Sequence, residues 1–369
     1  MNLNTILGRY LSKQIVSAFL LVLLTIMAII MMFDSIEALR RISGRDDVGM
    51  IYVAEYALTR LPQTVDKVLP FVMMVAAMIT FWRVSKSNEY VIIRSTGVSI
   101  WGFMTPVIVA VFLVGAINVA FVNPISARLY ELHETIKYRF ATRNPQAMLF
   151  SSKGLWIREA AQDGKVLVIQ AKGLRQEAHE KLSMRDISIL EMDRNSQILR
   201  RVEALVGELK GHVFKLRGVK VFESGQKTTD LDEISYNTTI DLQRIRENFI
   251  DPDAISVWDL PDTIHFYESS GFSAVRHKMR YLSLLVSPFL LVAMVLIASL
   301  FALKPNMRQG GVIFMIVAGI VTGFVVYFTS QLVYAFGING YIPVWFAVWS
   351  PSLVVMLLAV TAMIHREEG

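Results

Sequence analysis

Cysteine is absent from the chain, which excludes at one stroke a disulfide framework, a thiolate metal centre, an iron–sulfur cluster and a thiol nucleophile. Charge is scarce as well. Asp, Glu, Lys and Arg make up 18% of the residues against 54% hydrophobic, where a soluble globular domain carries about 25% charged. An ordinary cytosolic protein is excluded. No G-x-x-x-x-G-K-[ST] occurs, because Gly164-Lys165 lacks both the upstream glycine and the hydroxyl residue, so a P-loop ATPase is excluded too. The serine-hydrolase pattern G-x-S-x-G is missing. The histidines, His133, His179, His212, His265, His277 and His365, are scattered without metal-ligand spacing. Neither a catalytic group nor a metal or other cofactor is expected. Internal repeats and low-complexity tracts are lacking, and the triplet Asn237-Thr238-Thr239 is too common a pattern to carry weight as a glycosylation site.

What the chain has instead is long uncharged runs: Ile15 to Phe33, Val68 to Trp82, Ile100 to Asn123, Leu282 to Leu303, Gly310 to Gly340 and Tyr341 to Ile364. Runs of 18 or more apolar residues cover a hydrocarbon core of about 30 Å at about 1.5 Å per residue. The second run is short and extends back through Pro62. The first is longer than a signal-peptide core and ends in Met31-Met32-Phe33-Asp34 rather than at a small-residue cleavage site. Gly310 to Ile364 is too long for one helix, and Phe336-Gly337-Ile338-Asn339-Gly340-Tyr341-Ile342-Pro343 supplies the turn that splits it. Six spans put both termini on one side. Net charge is +6, from 37 Lys+Arg against 31 Asp+Glu, yet the basic residues beside the spans divide equally between the two sides. The positive-inside rule therefore selects no orientation. An N-terminus inside is preferred because the basic clusters on the other side could then have a ligand. The span cores hold no ionisable group, which disfavours an ion-coupled carrier.

Between spans 3 and 4, from about Pro124 to Met279, the composition becomes that of a soluble domain. Short alternating segments, Gly154 to Arg158, Lys165 to Ala171, Met184 to Met192, Gln197 to Leu205, His212 to Leu216 and Lys220 to Glu223, are separated by Asp163-Gly164, Asp193-Arg194-Asn195, Lys210-Gly211 and Ser224-Gly225. The pattern predicts an antiparallel sandwich or open roll with helical flanks at Leu129 to Phe140 and Leu260 to Met279. The fold class is an α-helical polytopic membrane protein, three spans on each side of an inserted antiparallel β domain: spans 1–3 in residues 1–123, the β domain in 124–279, spans 4–6 in 280–369.

Four constellations stand out. Between spans 2 and 3, Asn88 or Ser87 can N-cap a short helix over about 88–96, with Glu89 at its positive end, Arg94 near its other end and Gly97 as the stop. It is either a capped connector or a docking helix whose carboxylate meets a basic groove. Beyond span 1, Arg40 and Arg41 follow Asp34 and Glu37, with Glu37 and Arg41 at i, i+4. They either snorkel to ordinary phospholipid or recognise a polyanionic head group. Gly319 and Gly323 form a G-x-x-x-G in span 5 and serve either a subunit seam or internal packing. Methionines 27, 31, 32, 73, 74 and 78 are either lipid-facing filler or the lining of a pliable acyl cavity.

Arg9-Tyr10-Leu11, Glu37-Ala38-Leu39-Arg40-Arg41, Leu69-Pro70-Phe71, Asn88-Glu89 with Gly97, and Gly340-Tyr341-Ile342-Pro343, in this order around the insertion, resemble the lipopolysaccharide-export permeases of the LptF/LptG family, the LptG branch in particular. The resemblance covers nearly the whole chain. It implies cytoplasmic termini in a bacterial inner membrane, a periplasmic β-jellyroll, lipopolysaccharide as cargo, a paralogous permease partner (LptF), a dimeric cytoplasmic ATPase (LptB) and a single-span LptC-like protein. It also implies that Asn88, Glu89 and Arg94 meet the ATPase and that Arg40 and Arg41 face lipid phosphates. Relatives often have a further lysine shortly before that pair; here Asp34 stands, and Arg128 is the substitute considered. Two rival readings are a mechanotransmitting or scaffolding membrane protein and a carrier of uncharged solute.

The orientation is testable because the chain has no native cysteine. Ser224→Cys should react with a membrane-impermeant maleimide in intact spheroplasts, and Ser87→Cys only after lysis; the reverse pattern would overturn both the orientation and the export reading.

Overall fold

The computed structural model describes residues 3–42, 50–141, 147–151, 154–160, 166–178, 181–192, 198–210, 213–223, 228–238, 251–269, 273–303 and 309–368. The chain forms two units, one of Met1–Ile136, Asp253–Pro261 and Val275–Gly369, the other of Lys137–Pro252 and Asp262–Ala274.

The helices are α1 (Leu3–Ile42), α2 (Met50–Lys86), α3 (Glu89–Ser95), α4 (Ile100–Ile117), α5 (Asn123–Ala141), α6 (Leu260–Ser269), α7 (Val275–Ala302), α8 (Gln309–Ile338) and α9 (Val344–Glu368). A π-helical turn, Asn118–Val122, joins α4 to α5 in one rod. Among the described residues, six helices are long and apolar enough to cross a membrane. The central pair is α2 and α7, where 61% and 67% of the most apolar stretch is buried, against 17% in α1 and 22% in both the α4 rod and α8. In α1 only Leu11, Ile15, Phe19 and Val22 are buried along the apolar half, a stripe at helical spacing that fits one neighbour and leaves the rest of the circumference outward. At Gly115 a Cβ would lie 2.7 Å from the Cα of Pro288, so α4 and α7 meet backbone to backbone.

Local signals account for the helix ends. Ser99 caps α4, accepting from the Gly102 N–H at 3.0 Å. The expected split of the long apolar run is a Schellman turn: Gly340 has φ +77°, its N–H donates to Gly337 O, and the Tyr341 N–H donates to Phe336 O.

In the second unit, β1 (Ala147–Ser151), β2 (Gly154–Ala160), β3 (Val166–Ala178), β4 (Lys181–Met192), β5 (Ile198–Lys210), β6 (Val213–Glu223) and β7 (Thr229–Asn237) follow one another in a single antiparallel meander. This is the antiparallel insertion that the alternation predicts, in its open-roll form. β1 and β7 were not anticipated, and the two short segments expected at 212–216 and 220–223 are one strand, β6. Gly218, at φ +65°, is a corner within it rather than a turn. The expected turns at 163–164, 193–195 and 224–225, and Gly211, lie outside the described residues.

The corner crosses neighbouring strands. Buried residues alternate normally on either side of it, but the step from Met184 to Ile187, Ala204 to Gly207 and Leu216 to Val219 is three residues instead of two. These residues pair laterally, Met184 with Gly207, Gly207 with Leu216, Ile187 with Ala204 and Ala204 with Val219. The same phase shift in each strand keeps the register and keeps one face inward around the bend; at a period of two, a single uncorrected residue would turn every later side chain outward. Gly207 lies inside it, where a Cβ would stand 2.4 Å from Ile187 Cδ1.

The buried residues described on the enclosed face are mostly apolar, and a polar contact crosses it. Glu191 on β4, 2% exposed, pairs with Arg200 on β5 at 2.6 Å and accepts from Tyr236 Oη on β7 at 3.0 Å. β4 and β7 are not neighbours in the sheet, so Tyr236 reaches across the interior. Burial and the Glu191 charge push its hydroxyl up to about 12, and it stays a donor at any physiological pH. Tyr236→Phe should therefore loosen the edge strand. A hydrogen bond to a charged group is worth about 1.5–3 kcal/mol, so amide exchange in β7 should speed up by roughly tenfold or more, and unchanged exchange would show that the contact holds nothing.

Candidate functional site

α3 lies between α2 and α4. Its inner side is set by Tyr90, whose ring meets Phe103 edge-on at 5.6 Å, while Val91 and Ile92 are 45% and 61% exposed. Asn88 precedes it at φ 59° and makes no side-chain capping bond. The expectation that Asn88 or Ser87 caps the helix by its side chain is thus corrected. Asn tolerates the left-handed region, and here that conformation reverses the chain out of α2; Ser87 Oγ instead donates to Glu89 Oε1 at 2.8 Å. Gly97, at φ +84°, ends the helix as expected, its N–H on Arg94 O and the Thr96 N–H on Ile92 O. Arg94 donates to Val98 O at 3.2 Å. The contact that sequence spacing did not reveal is Tyr10: its hydroxyl donates to Glu89 Oε2 at 3.0 Å, tying the start of α1 to α3.

Toward the other end of α1, Glu37 pairs with Arg40 at 2.9 Å, one turn away at i+3. The Arg41 side chain lies outside the described ones. Asp34 is buried and pairs with Arg60 of α2 at 2.9 Å, an acid whose cation comes from the next helix. Arg128 is exposed on α5, and no contact joins it to Arg40. Gly319 and Gly323 face α2 within the same chain. A Cβ at Gly319 would stand 2.4 Å from Met78 Sδ, and one at Gly323 would stand 2.7 Å from Met74 Cε and 2.9 Å from the Phe71 ring. Internal packing is their role here, and Met74 and Met78 fill against them.

A second polar cluster went unread in the sequence. α2 begins at Met50 and so contains Asp66 and Lys67, and these meet the strap 251–259 that follows the strands. Asp253 pairs with Arg280 Nε at 2.9 Å and Lys67 Nζ at 3.5 Å, and accepts from Gln63 Nε2 at 2.6 Å. Arg280 lies 3.9 Å from Asp66, which accepts from Asn118 Nδ2 at 3.2 Å. Burial pushes the Asp253 carboxyl upward, but Arg280, Lys67 and the Gln63 hydrogen bond together hold it below the usual carboxylate range. Its contribution is present above the unfolded value near 3.9 and is lost only as pH falls through the lower folded one. Removing one partner of such a buried pair typically costs about 3–5 kcal/mol.

Beside this cluster the strap is sewn to the π turn. Pro124 has no N–H, so the carbonyl of Ala120, four residues earlier, has no helical donor, and the ring crowds it. The indole N–H of Trp258 fills that vacancy at 3.1 Å. Asn123 Oδ1 accepts from the Val257 N–H at 2.9 Å. Asn123-Pro124 in an apolar helix was the available sequence signal; the distant donor was not readable.

The profile of the family described as "Lipopolysaccharide export system permease LptF/LptG" matches residues 9–365. The lipopolysaccharide export system permease protein LptG of Escherichia coli strain K12 is 22% identical over 340 residues, covering 89% of each chain. LptG of E. coli O6:H1 strain CFT073 gives the same identity and coverage.

The glycine contacts differ in what can yield. At Gly115 the obstacle is Pro288 backbone, at Gly319 the tip of a methionine. Gly115→Ala should destabilise by about 1–3 kcal/mol through overpacking and lower the thermal midpoint in detergent, whereas Gly319→Ala should shift it far less; equal shifts would show that Met78 is as immobile as backbone.

Proposed function

We propose that this chain, which belongs to the lipopolysaccharide export system permease LptF/LptG family, couples ATP hydrolysis by a separate protein to extraction of lipopolysaccharide from the inner membrane. The chain is a multi-pass permease subunit of the export system. The observation that carries the reading is the extent of the match, residues 9–365, which takes in the first helix, α3, the insertion and the last span. The working assembly is this chain with a paralogous permease of the LptF kind, an LptB-type ATPase dimer in the cytoplasm and an LptC-like single-span protein. Termini and α3 face the cytoplasm, and the β unit lies in the periplasm.

Force enters at α3. The exposed Val91 and Ile92 beside Glu89 and Arg94 give the ATPase an apolar contact ringed by charge, and Asn88 sets the angle of entry. Tyr10 carries the push to α1, because it holds Glu89 directly. The outward faces of α1 and α8, rich in Leu20, Leu21, Leu24, Phe324 and Phe328, line the lipid cavity with the paralogue. Arg40 and Arg41 bind the phosphates of the head group at its mouth, and Arg128 supplies an additional cation. Lipid then passes upward to the apolar face of the roll.

Reconstituted with its partners in proteoliposomes, the exporter should release lipopolysaccharide only with ATP. Glu89→Arg should abolish release while the protein still inserts and assembles. Photocrosslinking of lipopolysaccharide to a probe at Phe33 should fall at least tenfold in Arg40→Ala/Arg41→Ala and hardly at all in Arg276→Ala/Lys278→Ala. Release without ATP would favour an uncharged-solute carrier, and absence of any lipid crosslink would favour a scaffold.

A further inference from the structure

The chain passes between the span unit and the β unit after residues 136, 252, 261 and 274; the α4–α5 rod carries the first passage and the strap at 251–259 the second. Each carries one carboxylate-linked polar contact to the same cation. Asp66 holds the rod through Asn118, Asp253 belongs to the strap, and Arg280 of α7 lies between the two acids with its side chain 15% exposed. The rod and the strap are also joined to each other, through Asn123 with Val257 and through the Ala120 carbonyl with Trp258. Gln63 and Lys67 add α2 to the same knot. Each tether closes a group that would otherwise be a bare charge or a bare backbone polar group near an apolar phase.

Simple stabilisation does not require this arrangement. Asp66 could be neutralised by its neighbour Lys67, and Asp253 by any one cation. What a shared arginine adds is connection: its planar, multiply donating guanidinium can serve two carboxylates at fixed angles, which an ammonium does less well. We propose that Arg280 is a positioning residue for lipid transfer, joining the rod and the strap through Asp66 and Asp253 to the α2–α7 pair so that these two connections to the β unit move together when the spans move. The proposal rests on the export reading above and adds to it where motion leaves the span unit. The knot stays closed throughout the cycle; nothing in it depends on release.

The test uses the complete exporter in proteoliposomes, with three readouts: ATP hydrolysis, lipopolysaccharide crosslinking to a probe at Phe33 of α1, and crosslinking to a probe at Ile234, half-buried on β7. Arg280→Met should leave the first two within about twofold and lower the Ile234 crosslink at least tenfold. Arg280→Lys should recover only part of the loss. Because Arg280→Met leaves two buried acids facing each other, the triple variant Asp66→Asn/Asp253→Asn/Arg280→Met is the deciding one. It removes the two buried acids together with the arginine, leaving only Lys67, whose side chain is 53% exposed, charged, and it does not restore the connection, so it should assemble and still fail at Ile234. Wild-type transfer in the triple variant would overturn the proposal, reducing the cluster to charge accommodation. Loss of all three readouts in an assembled triple variant would overturn it as well. A wild-type exporter that hydrolyses ATP but gives no crosslink at either probe would defeat the export reading itself and this proposal with it.

Discussion

In an apolar surrounding every backbone carbonyl and N–H must find a partner within the protein, and each proline inside a helix, Pro62, Pro70, Pro106, Pro288 and Pro351 as well as Pro124, removes a donor; Pro124 does so where the strap returns. Pro124 strips Ala120 of its donor, the helix widens into the π turn Asn118–Val122, and the vacancy is filled from a residue far away in sequence, Trp258. The same widening starts at Asn118, whose amide reaches Asp66. The carbonyl left by the missing N–H is thus one of several groups that dock the returning strap, beside Asn123 with Val257 and Asp253 with Gln63, Lys67 and Arg280. The proline is tolerated because a tertiary contact supplies what the helix lost.

Much of this architecture is legible from composition and period. Uncharged runs gave the six spans, and the Gly-Tyr pair at 340–341 marked the turn between the last two, where a left-handed glycine closes a Schellman motif. The alternation in 165–223 revealed an antiparallel insertion. Legibility failed where one residue has two local interpretations. Gly218 looks like a turn glycine, but its neighbours Arg217 and Val219 both pair with β5 and β7, so the positive φ bends a strand instead of ending it. Glu37 has cations three and four residues ahead, and the pair with Arg40 is one that spacing alone did not single out. Contacts such as Tyr10 with Glu89 or Arg280 with Asp253 leave no local trace at all, since each partner alone looks like a solvated end of a helix.

Burial divides the helices by task. α2 and α7 are enclosed, and their buried faces carry small residues such as Ala76, Ala77, Ala293 and Ala298, which let neighbours approach. α1 and α8 touch the rest along narrow stripes and turn long apolar side chains outward. Gly319 and Gly323 give α8 a smooth seat against methionine tips, a contact with flexible matter on one side and no side chain on the other. Such a seat resists sliding less than the Gly115–Pro288 backbone contact does. Motion delivered to this bundle is therefore taken up at the rim, by α1 and α8, before it strains the central pair.

The charges at the mouth of α1 obey the same division between fixed and yielding contacts. Asp34, Glu37, Arg40, Arg41 and Arg60 sum to +1, from three cations and two acids, which is a weak lure for a polyanion if all pairs hold. They do not hold equally. The Asp34 side chain is 10% exposed in its pair with Arg60, so separating them would strand a buried acid. Glu37 and Arg40 are 28% and 79% exposed, and an exposed pair one turn apart contributes only about 0.2–0.5 kcal/mol. In the proposed phosphate-binding role, an anion at Arg40 would have to displace only Glu37 from an exposed pair, while Arg60 stays committed to Asp34. Asp34 thus engages one cation, Arg60, and leaves Arg40 in the pair that exchanges more easily.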